Sequence, residues 1–411
     1  MSRISLSGNL GGSGTFTVAS PNSNSDRTVT LPDASGALVL DGAPATFSTL
    51  AVNGNNISAV NSMGFRNRII NGDMRIDQRN AGASVTPAAS TYTLDRWRFG
   101  CPSARMSVQQ NAGGVTPPDG FRNYIGATTT SAYTPAAAEA FTFAQFIEGN
   151  NVADLMLGTA NARTFTLSFW VRSSLIGTFG AAFSNENGAT RSYPFSYAIS
   201  AANTWEFKTV TVTGDTSGTW GTTAGVGLGV FFSLGAGSDF VGTPGAWTNG
   251  DRRTVSGATS VVGTNGATFY ITGVQLEAGS VATPFERRDY GRELIMCQRY
   301  CQMFSSAEGN GAYLRYAYGE CTSSTGMGAN VNLLARMRIT PALTTSAAST
   351  FGIFSGGAVS TASGVSIGAD GSSPVVANFG VGVSGGLTAG RAAAVLSNNN
   401  NTSFLLFTAE L

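Results

Sequence analysis

Few residue types in this 411-residue chain can do chemistry, and the missing ones exclude most of it. Histidine is absent, which removes Ser-His-Asp and Cys-His catalysis, histidine-ligated zinc and the usual neutral-pH proton shuttle together. The four cysteines, Cys101, Cys297, Cys301 and Cys321, contain no C-x-x-C pair. Cys297 and Cys301 stand four apart in a helical stretch, a spacing that reads as small buried residues. No disulfide framework is indicated, so free thiols and a reducing compartment are expected. The densest carboxylates are Glu277, Glu286, Asp289 and Glu293. A glycosidase needs two such groups about 5–9.5 Å apart across a sugar bond. Here Arg287, Arg288 and Arg292 lie among them, and local ion pairs are expected instead. No D-x-D-x-D-G calcium loop occurs, and Asn185-Glu186-Asn187-Gly188 reads as a turn. Asn71-Gly72-Asp73 reads as a β-turn, with Asp73 and Asp95-Arg96 expected to pair inside a core. No cofactor and no metal is implied.

Flat rings remain as binding candidates, because an apolar ring matches the C–H face of a pyranose. Trp97, Trp170 and Trp205 lie in strand-like runs and read as core. Trp220 (in Ser-Gly-Thr-Trp-Gly) and Trp247 (in Pro-Gly-Ala-Trp-Thr-Asn-Gly) sit in Gly-rich loops, where an exposed platform or packing over a sheet edge are both open. Tyr193 and Tyr316, with Tyr313 and Tyr318 beside the latter, are weighed in the same way.

The elements that must position these residues are strands. Charged residues make only 11% of the chain, less than half of the ~25% usual for soluble domains. Apolar residues make 42%, with 25 Phe, 11 Tyr and 5 Trp available to build cores and 53 Gly to punctuate turns. Surfaces of Ser, Thr and Asn suit short strands and many turns. The net charge is +1 from 24 basic and 23 acidic residues. No Lys/Arg run could neutralise several phosphates, so nucleic-acid binding has no electrostatic support. No stretch approaches the ~18 apolar residues of a membrane span, and Met1–Asn9 lacks the apolar core of a signal peptide. Membrane insertion is not expected.

Four units follow along the chain. Residues 1–62 carry short alternating runs, Thr15–Val18 and Thr28–Leu31, too few to bury a core alone. Such a segment is expected to order around copies of itself or another protein, with a disordered tail equally open for residues 1–14. In residues 63–287, Thr164–Arg172 alternates cleanly and places Phe165, Leu167, Phe169 and Val171 on one face. Trp205–Thr213 and Thr268–Leu276 read as further strands, and the lack of interleaved helices argues for an antiparallel sandwich. Residues 288–305 place Tyr290, Leu294, Cys297, Cys301 and Phe304 on one helical stripe, a short connector. Residues 306–411 read as β-rich, with strands at Tyr313–Tyr318 and Ser403–Thr408 and a polar hairpin loop at Asn398–Asn401.

Three stretches resemble parts of phage tail-fibre and related virion structural proteins. Thr28-Val-Thr-Leu-Pro-Asp-Ala-Ser-Gly-Ala-Leu-Val, followed by Leu50-Ala-Val-Asn-Gly-Asn-Asn-Ile-Ser, is similar to an N-terminal motif of such fibres. Arg66-Asn-Arg-Ile-Ile-Asn-Gly-Asp-Met-Arg-Ile-Asp-Gln-Arg, leading to Tyr92-Thr-Leu-Asp-Arg-Trp, resembles the opening of a galactose-binding-like jelly-roll. Gly273-Val-Gln-Leu-Glu-Ala-Gly-Ser-Val-Ala-Thr-Pro-Phe-Glu-Arg-Arg resembles the closing signature of the same module. With Ala201–Val210 and Gly214–Trp220, the resemblance spans most of residues 26–302.

The resemblance implies an all-β chain with a jelly-roll sandwich, a short connecting helix and a β-rich tip, in a homotrimeric fibre without catalytic residues. It implies attachment to other virion proteins through residues 1–62, assembly in the host bacterial cytoplasm, and binding of bacterial surface glycans by the virion. A head fibre or spacer without a receptor role stays open. A polysaccharide depolymerase on a parallel β-helix has no repeat period to support it. With no charged patch visible in the sequence, recognition is expected to rest on ring stacking and hydrogen bonds to neutral hydroxyls, and to be insensitive to salt.

Overall fold

The computed structural model describes residues 50–52, 55–57, 66–186, 190–308, 312–368 and 371–411. All of these belong to the second of two compact units, Thr49–Leu411. The expected strands at Thr15–Val18 and Thr28–Leu31 lie outside the described residues, as do Asn187 and Gly188 of the expected turn. A small hairpin, β1 (Leu50–Val52) and β2 (Asn55–Ile57), comes first.

Two antiparallel sheets face each other in a sandwich. One has seven strands in the order β14 (Thr248–Asn249), β10 (Arg191–Ile199), β9 (Gly177–Ser184), β12 (Val226–Ala236), β7 (Ala140–Glu148), β4 (Trp97–Gly100), β3 (Thr91–Leu94). The other has five: β11 (Glu206–Val212), β8 (Phe165–Ser173), β16 (Thr268–Ala278), β6 (Ile125–Thr129), β5 (Met106–Gln110). The alternation in β8 is what closes the two layers. Phe165, Leu167, Phe169 and Val171 are fully buried, and they meet rings from the opposite sheet. Phe165 packs edge-on to Phe183 at 5.0 Å, and Phe169 meets Phe232 at 4.9 Å and Tyr197 at 5.1 Å. A short parallel pair, β13 (Val241–Gly242) and β15 (Thr254–Val255), lies outside these sheets.

The connecting helix is shorter than the stripe from Tyr290 to Phe304 implies. α1 covers Tyr290–Gln298, capped by the Asp289 side chain accepting from the Arg292 backbone N–H. The chain then turns, and Cys301 and Phe304 belong to a strand, β17 (Cys301–Ser305). The cause is tertiary: β17 finds a full antiparallel partner in β25 (Phe404–Thr408), with β20 (Ala342–Thr345) on its far side. Ladder hydrogen bonds over five residues outweigh a weak local helical pattern.

The C-terminal unit is a closed barrel, β18 (Arg315–Cys321), β19 (Gly326–Asn332), β23 (Val376–Val383), β22 (Ala358–Ile367), β21 (Phe351–Ser355), β24 (Ala392–Ser397). Side chains such as Met327, Phe351, Ile353, Phe379 and Val395 fill it. Asn398–Asn401 is not a hairpin loop, because β24 closes the barrel while β25 pairs in the separate three-stranded sheet. Among the described residues no helix is long and apolar enough to cross a membrane. All four cysteines are free and buried, and burial pushes the Cys297 and Cys301 thiols well above their ordinary value.

The expected pairing of Asp73 with Asp95-Arg96 does not form. Asp73 pairs with its neighbour Arg75, whose Nε donates to it at 2.7 Å. Arg96, 1% exposed, reaches Glu410 and the Phe146 carbonyl, with its guanidinium 3.6 Å from the centre of the Tyr300 ring. The Asn71–Met74 turn is present, closed by Met74 N–H donating to the Asn71 carbonyl at 3.1 Å. Asp95 is fully buried and accepts from the Gln78 backbone N–H at 2.7 Å.

Burial raises the Asp95 carboxyl to about 7, with Arg79 and the Gln78 donors opposing the shift. A carboxyl raised in the folded state binds more protons folded than unfolded between about pH 4 and pH 7, so its contribution to stability falls as pH rises through that window. Asp95→Asn removes the titration. From about pH 5 to about pH 8 the wild type is expected to lose stability relative to this variant in urea unfolding. A difference that does not change with pH would contradict the raised carboxyl.

Candidate functional site

The outer face of the five-stranded sheet carries an aromatic concavity. The alternation that sends Phe169 and Val171 inward sends Ser168, Trp170 and Arg172 outward. Trp170 stands directly opposite Phe207 of the edge strand β11, in register, with ring centres 5.4 Å apart and planes at 51°. Phe207 is 48% exposed. Across the groove, Phe121 and Phe285 meet edge-on at 5.2 Å. These four rings, with Ser168, Gly273, Thr283, Pro284 and Arg287, line a groove of about 460 Å³. The Trp170 indole N–H and the Ser168 hydroxyl make no hydrogen bond to another described residue, so both are available to a ligand.

Part of the remaining sheet face is covered. The loop before β6 folds over it, burying Tyr124 and Tyr270 with centres 5.2 Å apart, and Trp205 closes the cluster with its N–H on the Thr116 carbonyl at 2.9 Å. The groove lies beside it, bounded by Phe121 of this loop on one side and by residues 279–287 on the other.

The stretch from Gly273 to Arg288 builds most of the rim, which gives its residue pattern a physical reason. Strand β16 carries a bulge between Thr272 and Gln275, and Gly273 sits in it at φ +61°. A Cβ there would lie 2.7 Å from the Phe121 ring and 3.1 Å from Trp170 Cδ1. Only glycine lets both rings close over that floor. Gln275 and Glu277 then hold the returning chain. The Gln275 amide donates to the Thr283 carbonyl at 3.1 Å and accepts from Glu286 N–H at 2.7 Å, while Glu277 accepts from Thr283 N–H at 2.9 Å. Glu286 accepts from Asn67 N–H at 2.7 Å. Burial alone would raise its carboxyl, but the Asn67 and Arg66 donors and the Arg288 charge hold it below its usual value. Phe285 and Arg287 flank this fixed residue and are thereby aimed outward. The Arg287 guanidinium lies 4.7 Å from the Phe121 ring centre.

Of the carboxylates singled out in the sequence, Glu286 and Glu293 pair with Arg288, each at 3.2 Å, and Glu277 approaches Arg66 at 3.8 Å. Arg287 and Arg292, expected as their partners, make no ion pair among the described residues.

Three of the four aromatic candidates come together elsewhere. Trp247 lies 5.3 Å from both Tyr193 and Trp220, at the outer edge of the seven-stranded sheet. Trp220 is 8% exposed and donates to the Ser217 carbonyl at 3.0 Å, and Trp247 donates to the Thr213 carbonyl at 2.8 Å. Both indoles are therefore engaged in pinning loops to the sheet edge. Tyr316 is separate, in the C-terminal barrel, against Phe351 and bonded to Ser403. Sequence reasoning read Trp170 as core, whereas it is half-buried and lines the groove, and it passed over Phe207, Phe121 and Phe285. The signal for Trp170 was present: it is out of phase with the inward-facing residues of its own strand.

No family model matches the sequence, and no curated protein does. Among solved structures it is similar to the enzymatically active domain of tailspike protein 4 of bacteriophage CBA120, at 14% identity, covering 52% of this chain and 21% of that one, with a TM-score of 0.27. The chain thus spans about a fifth of the tailspike chain. It is similar to TmCBM61, solved in complex with β-1,4-galactotriose, at 11% identity over 52% of this chain and 99% of that one, TM-score 0.27. It is also similar to the N-terminal cellulose-binding domain of β-1,4-glucanase C from Cellulomonas fimi, at 13% identity over 40% and 84%, TM-score 0.24.

The floor of the groove makes a direct prediction. Gly273→Ala places an L-residue in the left-handed region, which costs about 1–2 kcal/mol, and forces Phe121 to move. A loss of roughly 2 kcal/mol in chemical unfolding is expected. Wild-type stability in this variant would show that the bulge is not strained for side chains.

Proposed function

We propose that this chain is a structural fibre protein of a tailed-phage virion that binds host cell-surface glycans, and that the sandwich holds the glycan in the groove of Trp170, Phe207, Phe121 and Phe285. The single observation that carries the binding reading is Trp170 facing Phe207 on an open sheet face, with an uncommitted indole N–H beside them. Sugars present C–H faces that stack on such rings and hydroxyls that accept from such donors. Among the described residues the groove lining has no carboxylate, which supports binding rather than glycoside hydrolysis, since hydrolysis needs two. The virion role rests on the residue patterns at Thr28–Val39, Arg66–Arg79 and Gly273–Arg288. A head fibre or spacer is the second reading, and it is the one favoured if the groove binds nothing.

A homotrimer belongs to this proposal. Exposed apolar side chains on α1 and the C-terminal unit, including Ile295, Tyr318 and Leu334, support contact with other copies. Individual sugar contacts are weak, on the order of 1 kcal/mol each, and three linked sites raise avidity by effective concentration. Light scattering of the full chain at micromolar concentration is expected to give the mass of three chains; a monomer would contradict the trimer.

Binding is tested by substitution. Trp170→Ala and Phe207→Ala are each expected to weaken binding to host-cell polysaccharide about ten-fold, the worth of ~1.4 kcal/mol, in affinity electrophoresis. Trp247→Ala is expected to leave it unchanged. The reverse pattern would move the site to the edge cluster, and loss only on removing residues 306–411 would move it to the barrel.

A further inference from the structure

A second concavity adjoins the groove and shares Arg287 with it. It is about 450 Å³, within the range of small-molecule sites, and four arginines line it: Arg75, Arg122, Arg287 and Arg288. Two of these are already neutralised. Arg75 is held by Asp73, the carboxylate in the lining, and Arg288 by Glu286 and Glu293. Arg122 and Arg287 are both exposed and make no ion pair among the described residues. Of the other acids close in sequence, Asp289 is engaged as the cap of α1, and Asp119 is exposed in the loop that carries Arg122.

Arg287 is also held in place. Its guanidinium lies 4.7 Å from the Phe121 ring centre and 5.7 Å from that of Phe285. The backbone of Gly120 also passes so close that a Cβ there would fall 2.8 Å from an Arg287 terminal nitrogen. A guanidinium packed on rings keeps its donors free while losing little further freedom on binding.

We infer that the glycan held in the aromatic groove carries an acidic group, a uronate-type carboxylate or a phosphate monoester, that Arg122 and Arg287 bind in this adjoining cleft. The inference rests on the groove reading and sharpens it. A planar fork of N–H donors matches carboxylate and phosphate oxygens two at a time, and two unpaired guanidinium groups beside a neutral aromatic wall select a chain that is apolar-faced at one sugar and charged at the next. Recognition is then sensitive to salt, contrary to the expectation drawn from the even spread of charge along the sequence.

The test is an array of neutral, uronate-containing, methyl-esterified and phosphorylated oligosaccharides, probed with the full chain at low and high salt. Acidic members are expected to bind about ten-fold better than neutral or esterified ones, with the advantage shrinking at high salt. The preferred acidic class identifies carboxylate or phosphate as the source. Arg122→Gln, at an exposed position outside the groove lining, is expected to remove the advantage and keep the residual neutral binding, and Arg287→Gln, which also lines the groove, is expected to remove the advantage. Equal binding of acids and esters that Trp170→Ala abolishes would overturn the acidic-group inference and leave the groove standing. Acid binding that survives Trp170→Ala but falls in Arg122→Gln would keep the cleft and overturn the groove. An acid preference indifferent to both arginine substitutions would overturn the assignment of the cleft, and the absence of all binding would overturn both readings.

Discussion

Arg288, a buried residue at 7% exposure, is the constraint on which the groove-bearing part of the sandwich depends. A buried cation without partners costs several kcal/mol, and this one completes its set by drawing the distant opening segment onto its own stretch between β16 and α1. It donates to the backbone carbonyls of Asn67 and Ile69 and to the carboxylates of Glu286 and Glu293. The irregular opening segment, the return after β16 and the start of α1 must therefore dock together. Two amides complete the joint. Asn67 accepts from Leu276 N–H at 3.0 Å and donates to the Val274 carbonyl at 3.1 Å, and Gln145 exchanges bonds with the Ile70 backbone at 2.8 and 2.9 Å. Gly72 is needed there because a Cβ would sit 2.2 Å from the Val274 carbonyl oxygen.

This joint gives the groove its rigidity. Trp170 and Phe207 stand on paired strands, while Phe285 and Arg287 stand on either side of a glutamate fixed by backbone donors. Rings placed in this way lose little freedom when a ligand stacks on them. The aromatic cluster around Trp247 lacks that openness, since both of its indole donors are bonded to backbone carbonyls. It closes the sheet edge.

The layers of the fold were legible in the sequence wherever one strand alternates strongly. Phe165 to Val171 names the core face, and β11 and β16 appear within one or two residues of their bounds. What local pattern could not carry was partner choice. The helical stripe through Cys301 and Phe304 gave way to a strand because β25 lies waiting about a hundred residues later. The site suffered from the same limit. Trp170 was readable from phase alone, but Phe121, Arg122, Phe285 and Arg287 come from two loops far apart in sequence, and only the fold brings them to one rim. Local charge was hidden for the same reason: acids and bases balance along the chain, while Arg288 takes up Glu286 and Glu293, and Arg122 and Arg287 make no ion pair among the described residues.

The most direct measurement is a crystal structure of the full chain with an oligosaccharide cut from a bacterial surface polysaccharide. The account predicts a sugar ring stacked on Trp170 between Phe207 and Phe285, with the groove unchanged in backbone. Sugar density against Trp247 and Tyr193, or on the C-terminal barrel with the groove empty, would contradict it.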